Sequence, residues 1–154
     1  MNILILAYLL SPSKGSEYSV AWNYVTHMSK KNNLTVLYGA SGNQMGDCDE
    51  MTKHFDLIHY VGMIGYREPG YLWKLGLPYV WGPVGGTNNA PQQLMERMPL
   101  IGRMKLTFRS IVNTFQFHTK RRLKKALKAT DILLTATSEN QRNFKNVHHK
   151  DSIW

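Results

Sequence analysis

The chain reads as an α/β protein, a Rossmann-like parallel sheet with helices on both faces. Three observations carry this reading. Short apolar runs alternate with stretches of helical period, the pattern of parallel strands joined by crossover helices. The first run, Ile3-Leu4-Ile5-Leu6-Ala7-Tyr8-Leu9-Leu10, is apolar throughout, which suits a strand covered on both faces. Glycine-containing turns follow the runs, among them Gly15, Gly39, Gly62 and Gly85-Gly86.

The elements follow in order. Pro12 and Gly15 stop the first strand. Ser16 reads as the N-cap of a helix to Met28, with Glu17 in its first turn and Tyr18, Ala21, Val25 and Met28 on one apolar face. Lys30 to Asn33 is a helix end and turn. Leu34–Tyr38 is a second strand, ended by Gly39, and 40–53 reads as polar loop with a short helix near Glu50. Asp56–Val61 is a third strand, with Pro69–Leu75 a short helix after it. Pro78–Pro83 is a fourth strand running into the turn Val84-Gly85-Gly86-Thr87-Asn88-Asn89-Ala90-Pro91. Gln92–Arg97 is helical.

Leu100 to about Ala129 reads as one long helix with a possible break near Gly102. Phe108, Ile111, Val112, Phe115, Thr119, Leu123 and Leu127 are its expected buried side. Asp131–Thr137 is a fifth strand. Ser138 is the expected cap of a last helix through Phe144, and Ser152-Ile153-Trp154 opens a further strand. Ligands of such sheets bind outside the carboxyl ends of the strands, where Gly15, His59, Gly62, Gly85, Gly86 and Thr137 are expected to gather.

The totals narrow the function. A chain of 154 residues makes one domain with a sizeable core. No apolar run is long enough to span a bilayer. The start Met-Asn-Ile-Leu-Ile-Leu lacks a basic region, so it reads as a core strand and not as a signal peptide. The single cysteine, Cys48, excludes an internal disulfide and a cysteine-based metal site, and fits a reducing, cytosolic setting. His148 and His149 read as exposed loop residues rather than metal ligands, so no metal is expected.

The net charge of +9 lies in the second part of the chain. Residues 1–60 carry four basic and five acidic residues, and residues 61–154 carry fifteen and five. Lys120, Arg121, Arg122, Lys124, Lys125 and Lys128 crowd one helix end, where cations complement the helix dipole. Such a run is either a solvated face or a contact for a polyanion. The helix aromatics fall on the expected buried side, apart from these cations, which disfavours a nucleic-acid-binding module. Neither G-x-G-x-x-G nor G-x-x-x-x-G-K-[ST] is present, which disfavours a nucleotide-binding oxidoreductase and a P-loop.

Ser11-Pro12, then Gly15-Ser16-Glu17, with Ala21-Trp22-Asn23 in the helix, closely resembles the opening of the group 1 retaining glycosyltransferases of the GT-B architecture. Asp56-Leu57-Ile58-His59, Pro69-Gly70-Tyr71-Leu72-Trp73 and Pro78-Tyr79-Val80-Trp81-Gly82-Pro83-Val84-Gly85-Gly86 are similar to the same family's middle signature. The resemblance runs from Asn2 to about Phe144 and covers the N-terminal, acceptor-side domain. It implies transfer of a sugar from a nucleotide-diphosphate sugar to a glycan or lipid-linked acceptor, with retained configuration, in surface polysaccharide synthesis. It implies no metal and no cofactor beyond the sugar nucleotide. That co-substrate is held mainly by a second domain, whose paired-glutamate motif has no counterpart here. The expectation is therefore a fragment of a larger enzyme, inactive by itself, with a natural stand-alone half working with a partner chain as the alternative.

The resemblance also implies residue roles. Gly15 and Ser16 are expected where backbone approaches the donor diphosphate, with Gly15 merely making a turn as the alternative. His59 is expected near the transferred sugar as the catalytic residue, or else packed in the sheet. Gly85, Gly86 and Thr87 are expected to line the acceptor cleft. Trp22, Trp73 and Trp81 are expected in the core. Lys120, Arg121, Lys124, Lys125 and Lys128 are expected to face an anionic membrane at the inner, cytoplasmic side, with no specific nucleic acid as partner.

Overall fold

The computed structural model describes residues 1–13, 15–38 and 54–154. The loop and short helix expected over 40–53, and Cys48 with them, lie outside the described residues. Five parallel strands form one sheet in the order β2-β1-β3-β4-β5: β1 (Asn2–Ala7), β2 (Asn33–Tyr38), β3 (Leu57–Val61), β4 (Tyr79–Val84) and β5 (Ile132–Thr135). The helices are α1 (Gly15–Met28), α2 (Gln92–Glu96), α3 (Leu100–Thr119), α4 (Arg121–Ala129) and α5 (Ser138–His148). Together they make an α/β, Rossmann-like fold. Ile153 adds a parallel bridge to Leu134, where a further strand was expected.

The all-apolar first run has the physical cause expected of it. Ile3, Ile5 and Ala7 meet α1 through Ala21, while Leu4 and Leu6 face the opposite core. That second core joins Ile58, Tyr60, Tyr79 and Trp81 to Phe117, Leu123, Leu127 and Phe144. A strand between two cores has no face left for polar side chains. In β4, Gly82 has φ +137, and a Cβ there would lie 2.2 Å from the Leu134 carbonyl oxygen. The glycine therefore lets β5 close on β4, next to a register shift between Trp81 and Val84.

Several expectations are corrected. α1 starts at Gly15, so Ser16 lies inside the first turn and not before it. The segment 69–75 holds only a 3-10 turn, Leu72–Leu75. Thr137, not Ser138, caps α5, its Oγ1 accepting the Asn140 N–H at 3.2 Å. That helix continues past Phe144 to His148. His148 is no loop residue: its Nε2 donates to the Phe117 carbonyl at 2.9 Å, and its ring packs edge-on to Phe117. Trp81 is a core residue and Trp73 is half-buried, but Trp22 is exposed.

The long helix is two helices. Lys120 adopts an extended backbone between α3 and α4, and its Nζ donates to the Arg67 carbonyl. No break occurs at Gly102, which lies within α3. The buried side is also different. Leu123 and Leu127 are buried as expected, whereas Phe108, Ile111, Phe115 and Thr119 are exposed. α3 turns Asn113 and Phe117 inward instead. The apolar arc of α3 therefore faces outward, and of the expected buried side only the α4 residues Leu123 and Leu127 lie in the core.

This orientation is measurable. Leu123→Ala removes a fully buried side chain and should cost about 2–5 kcal/mol. Phe108→Ala should change stability by no more than about 0.5 kcal/mol. Urea unfolding curves of the two variants distinguish them, and a larger loss for Phe108→Ala would return that residue to the core.

Candidate functional site

The site is built at the carboxyl end of β4, where the strand ends and Gly85 begins a turn. The Gly85 N–H donates to the Ile64 carbonyl, and its own carbonyl accepts from the Tyr66 N–H at 3.1 Å. These bonds tie the turn to the chain leaving β3. Gly86 follows with φ +78, a left-handed conformation that side-chain-bearing residues rarely adopt. The chain then reverses toward α3.

Asn113 on α3 closes the turn from the other side. Its Nδ2 donates to the Gly86 carbonyl at 3.3 Å and to Asn89 Oδ1 at 3.2 Å. Its Oδ1 accepts from the Arg67 guanidinium and lies 2.9 Å from the Tyr66 hydroxyl. Burial raises the Tyr66 pKa, opposed by the nearby Arg67 charge, so the phenol keeps its proton and donates. Arg67 is held further by Gln116 Oε1 at 2.8 Å and by the Tyr66 ring, 5.0 Å from its guanidinium carbon. Asn89 Nδ2 also donates to Thr114 Oγ1 at 3.1 Å.

The result is a cleft of about 310 Å³, lined by Arg67, Gly86, Asn88, Asn89, Ala90, Leu106, Arg109, Ser110 and Asn113. Neither arginine forms an ion pair among the described residues. Two guanidiniums, side-chain amides and a hydroxyl around a cleft of this size suit a ligand that is anionic, rich in hydroxyls, or both.

The expected site residues are distributed as follows. Gly85, Gly86 and Thr87 come together, but only Gly86 lines the cleft. Thr87 is buried behind it, donating to Asn140 Oδ1 at 2.6 Å and accepting from Asn143 Nδ2 at 2.9 Å. It anchors the turn to α5. Gly15 and Ser16 stand at the same end of the sheet, where α1 begins after β1. Between β1 and β3, where the strand order reverses, Tyr8, Leu9, Val61, Gly62 and Met63 border a void of only about 10 Å³.

His59 is corrected. It lies in the middle of β3, opposite Ile5 and Val80, and not at the strand end. It is 2% exposed, its ring edge-on to Tyr24 and its Nε2–H donating to the Gly82 carbonyl at 3.2 Å. This is the placement of the alternative reading, a histidine packed in the sheet. Lys120 is turned inward to Arg67 and Glu68. Arg121, Lys124, Lys125 and Lys128 are exposed along one side of α4.

Reading the chain by itself missed Arg67, Arg109, Asn113 and the two asparagines after Thr87. Asn113 had a signal: it is the polar residue facing opposite the apolar arc of its own helix. Arg67 had none, because nothing local in 62–68 shows that it will meet α3. Comparison with protein-family models, curated proteins and solved structures finds no match to this chain.

Two outcomes follow. Asn113→Leu keeps the approximate volume but orphans the groups that Asn113 ties. It should cost about 1–3 kcal/mol and speed amide exchange at 86–89, as seen by hydrogen–deuterium exchange. The second concerns pH. Burial lowers the His59 pKa, and the Gly82 bond offsets this only in part. The unfolded chain therefore takes up a proton near pH 6.5 that the folded chain refuses, and stability is lost as pH falls through that value. Burial shifts His148 the same way. His59→Gln should thus lose stability less steeply between about pH 7 and 5 than the parent, measured by urea unfolding. Equal slopes would show that His59 does not contribute.

Proposed function

We propose that this chain is the acceptor-side domain of a retaining glycosyltransferase of the GT-B type. In that reaction the bond between the sugar and the nucleotide diphosphate breaks. A bond from the same carbon to an acceptor hydroxyl forms, with the configuration kept. The observation that carries the reading is the arginine- and asparagine-lined cleft against the Gly86 turn. The parallel sheet, whose glycine turns gather at the carboxyl ends of its strands, supports it as well.

In this reading Arg67 and Arg109 take an anionic part of a lipid-linked or glycan acceptor, such as a phosphate. Asn88, Asn89 and Ser110 take its hydroxyls. The backbone at Gly15 and Ser16, at the start of α1, favours the departing diphosphate. The residues that bind the nucleotide sugar belong to a second domain, in the same protein or a partner chain. The enzyme works in the cytoplasm, in the assembly of a surface polysaccharide. His59 has no chemical role.

The test is transfer from a panel of radiolabelled sugar nucleotides to lipid-linked acceptors by the enzyme containing both domains. The domain by itself should give no turnover, since catalysis needs both reactants held together. In the two-domain enzyme, Arg109→Gln should raise the acceptor KM by about tenfold with stability unchanged. Gly15→Val should lower kcat sharply without unfolding the protein. Turnover by this domain alone, or an acceptor KM indifferent to Arg109, would overturn the assignment.

A further inference from the structure

We propose that α3 is a docking surface for an anionic lipid bilayer, lying in the interface with its outer stripe among the headgroups and upper acyl chains. Leu100, Ile101, Met104, Phe108, Ile111 and Phe115 are each 62–73% exposed. At the α-helical repeat they fall in one arc of about 100°, opposite the Asn113 and Phe117 side that meets the fold. Isolated exposed apolar residues are ordinary, but a continuous stripe of six on one helix marks a surface that something covers.

Charge identifies the cover. The same helical repeat puts Arg103 and Lys105, both exposed, along the two borders of the stripe. Residues 97–130 hold ten lysines and arginines and no aspartate or glutamate. An apolar centre with cationic borders matches an acyl layer beneath anionic headgroups. A second copy of the chain, meeting this face across a two-fold axis, would bring the same cations against one another. Nucleic acid would satisfy the cations but leave the six apolar side chains without a partner. No helix among the described residues is long and apolar enough to cross a membrane, so the contact lies on the bilayer surface. The stripe is distinct from the exposed basic side of α4, and the inference does not depend on sugar transfer.

Co-sedimentation with vesicles tests it. The protein should bind vesicles of phosphatidylcholine containing about 30 mol % phosphatidylglycerol, and bind phosphatidylcholine alone far less. Ile101→Ser/Phe108→Ser/Phe115→Ser should weaken anionic-vesicle binding by at least about tenfold, with circular dichroism and melting unchanged because all three side chains are exposed. Arg103→Gln/Lys105→Gln should weaken binding at low salt and reduce its salt dependence. Failure to bind anionic vesicles, or binding that survives the triple serine variant, would overturn the proposal. So would tighter binding to a labelled oligonucleotide than to vesicles, or self-association in light scattering that the triple variant abolishes.

Discussion

The side-chain amide of Asn113 is the tie on which the rest of the cleft depends. It offers its oxygen to Tyr66 and Arg67 and its nitrogen to Gly86 and Asn89, so one residue joins three separate segments of chain. A buried amide is costly unless its hydrogen bonds are made. Here they are made, and α3 can therefore turn a polar residue toward the protein. The position of the cleft, the clamping of Arg67 and the outward direction of the apolar stripe all follow from that choice.

The sheet was legible because its central strands β1, β3 and β4 are largely buried on both faces. A run such as Ile3 to Ala7 has few other ways to be accommodated, and the strand centres appear where the apolar runs lie. The helix over 100–129 was legible in its period and not in its orientation. Periodicity identifies the arc that is apolar, and the usual rule turns that arc inward. Asn113 and Phe117 reverse it, through partners on Tyr66 and Arg67 that are distant in the chain. The division at Lys120 was hidden for a similar reason. No glycine or proline marks it, and the lysine is turned aside toward Arg67, 53 residues earlier.

The candidate site was legible in its backbone and not in its side chains. Gly86 stood out because a left-handed turn asks for a residue without a side chain. The groups that give the cleft its chemistry, Arg67 and Arg109, come from outside that turn. His59 shows the converse. A histidine near the end of an apolar run invites a chemical role, yet in β3 its ring lies between α1 and the sheet with its proton on the Gly82 carbonyl. The family resemblance suggested chemistry there, and the parity of the strand puts the ring on the face that α1 covers.

The Gly86 turn also separates what is free to vary from what is not. Gly86 is restricted by its backbone angle, Thr87 by its buried bonds to α5, and Asn113 by its four partners. Asn88 belongs with the frame, since its side chain donates to Glu139 at 2.9 Å and accepts from Thr87. Arg109, by contrast, is exposed on the rim of the cleft. Exchanging it alters the charge that the cleft presents while leaving the frame beneath it intact.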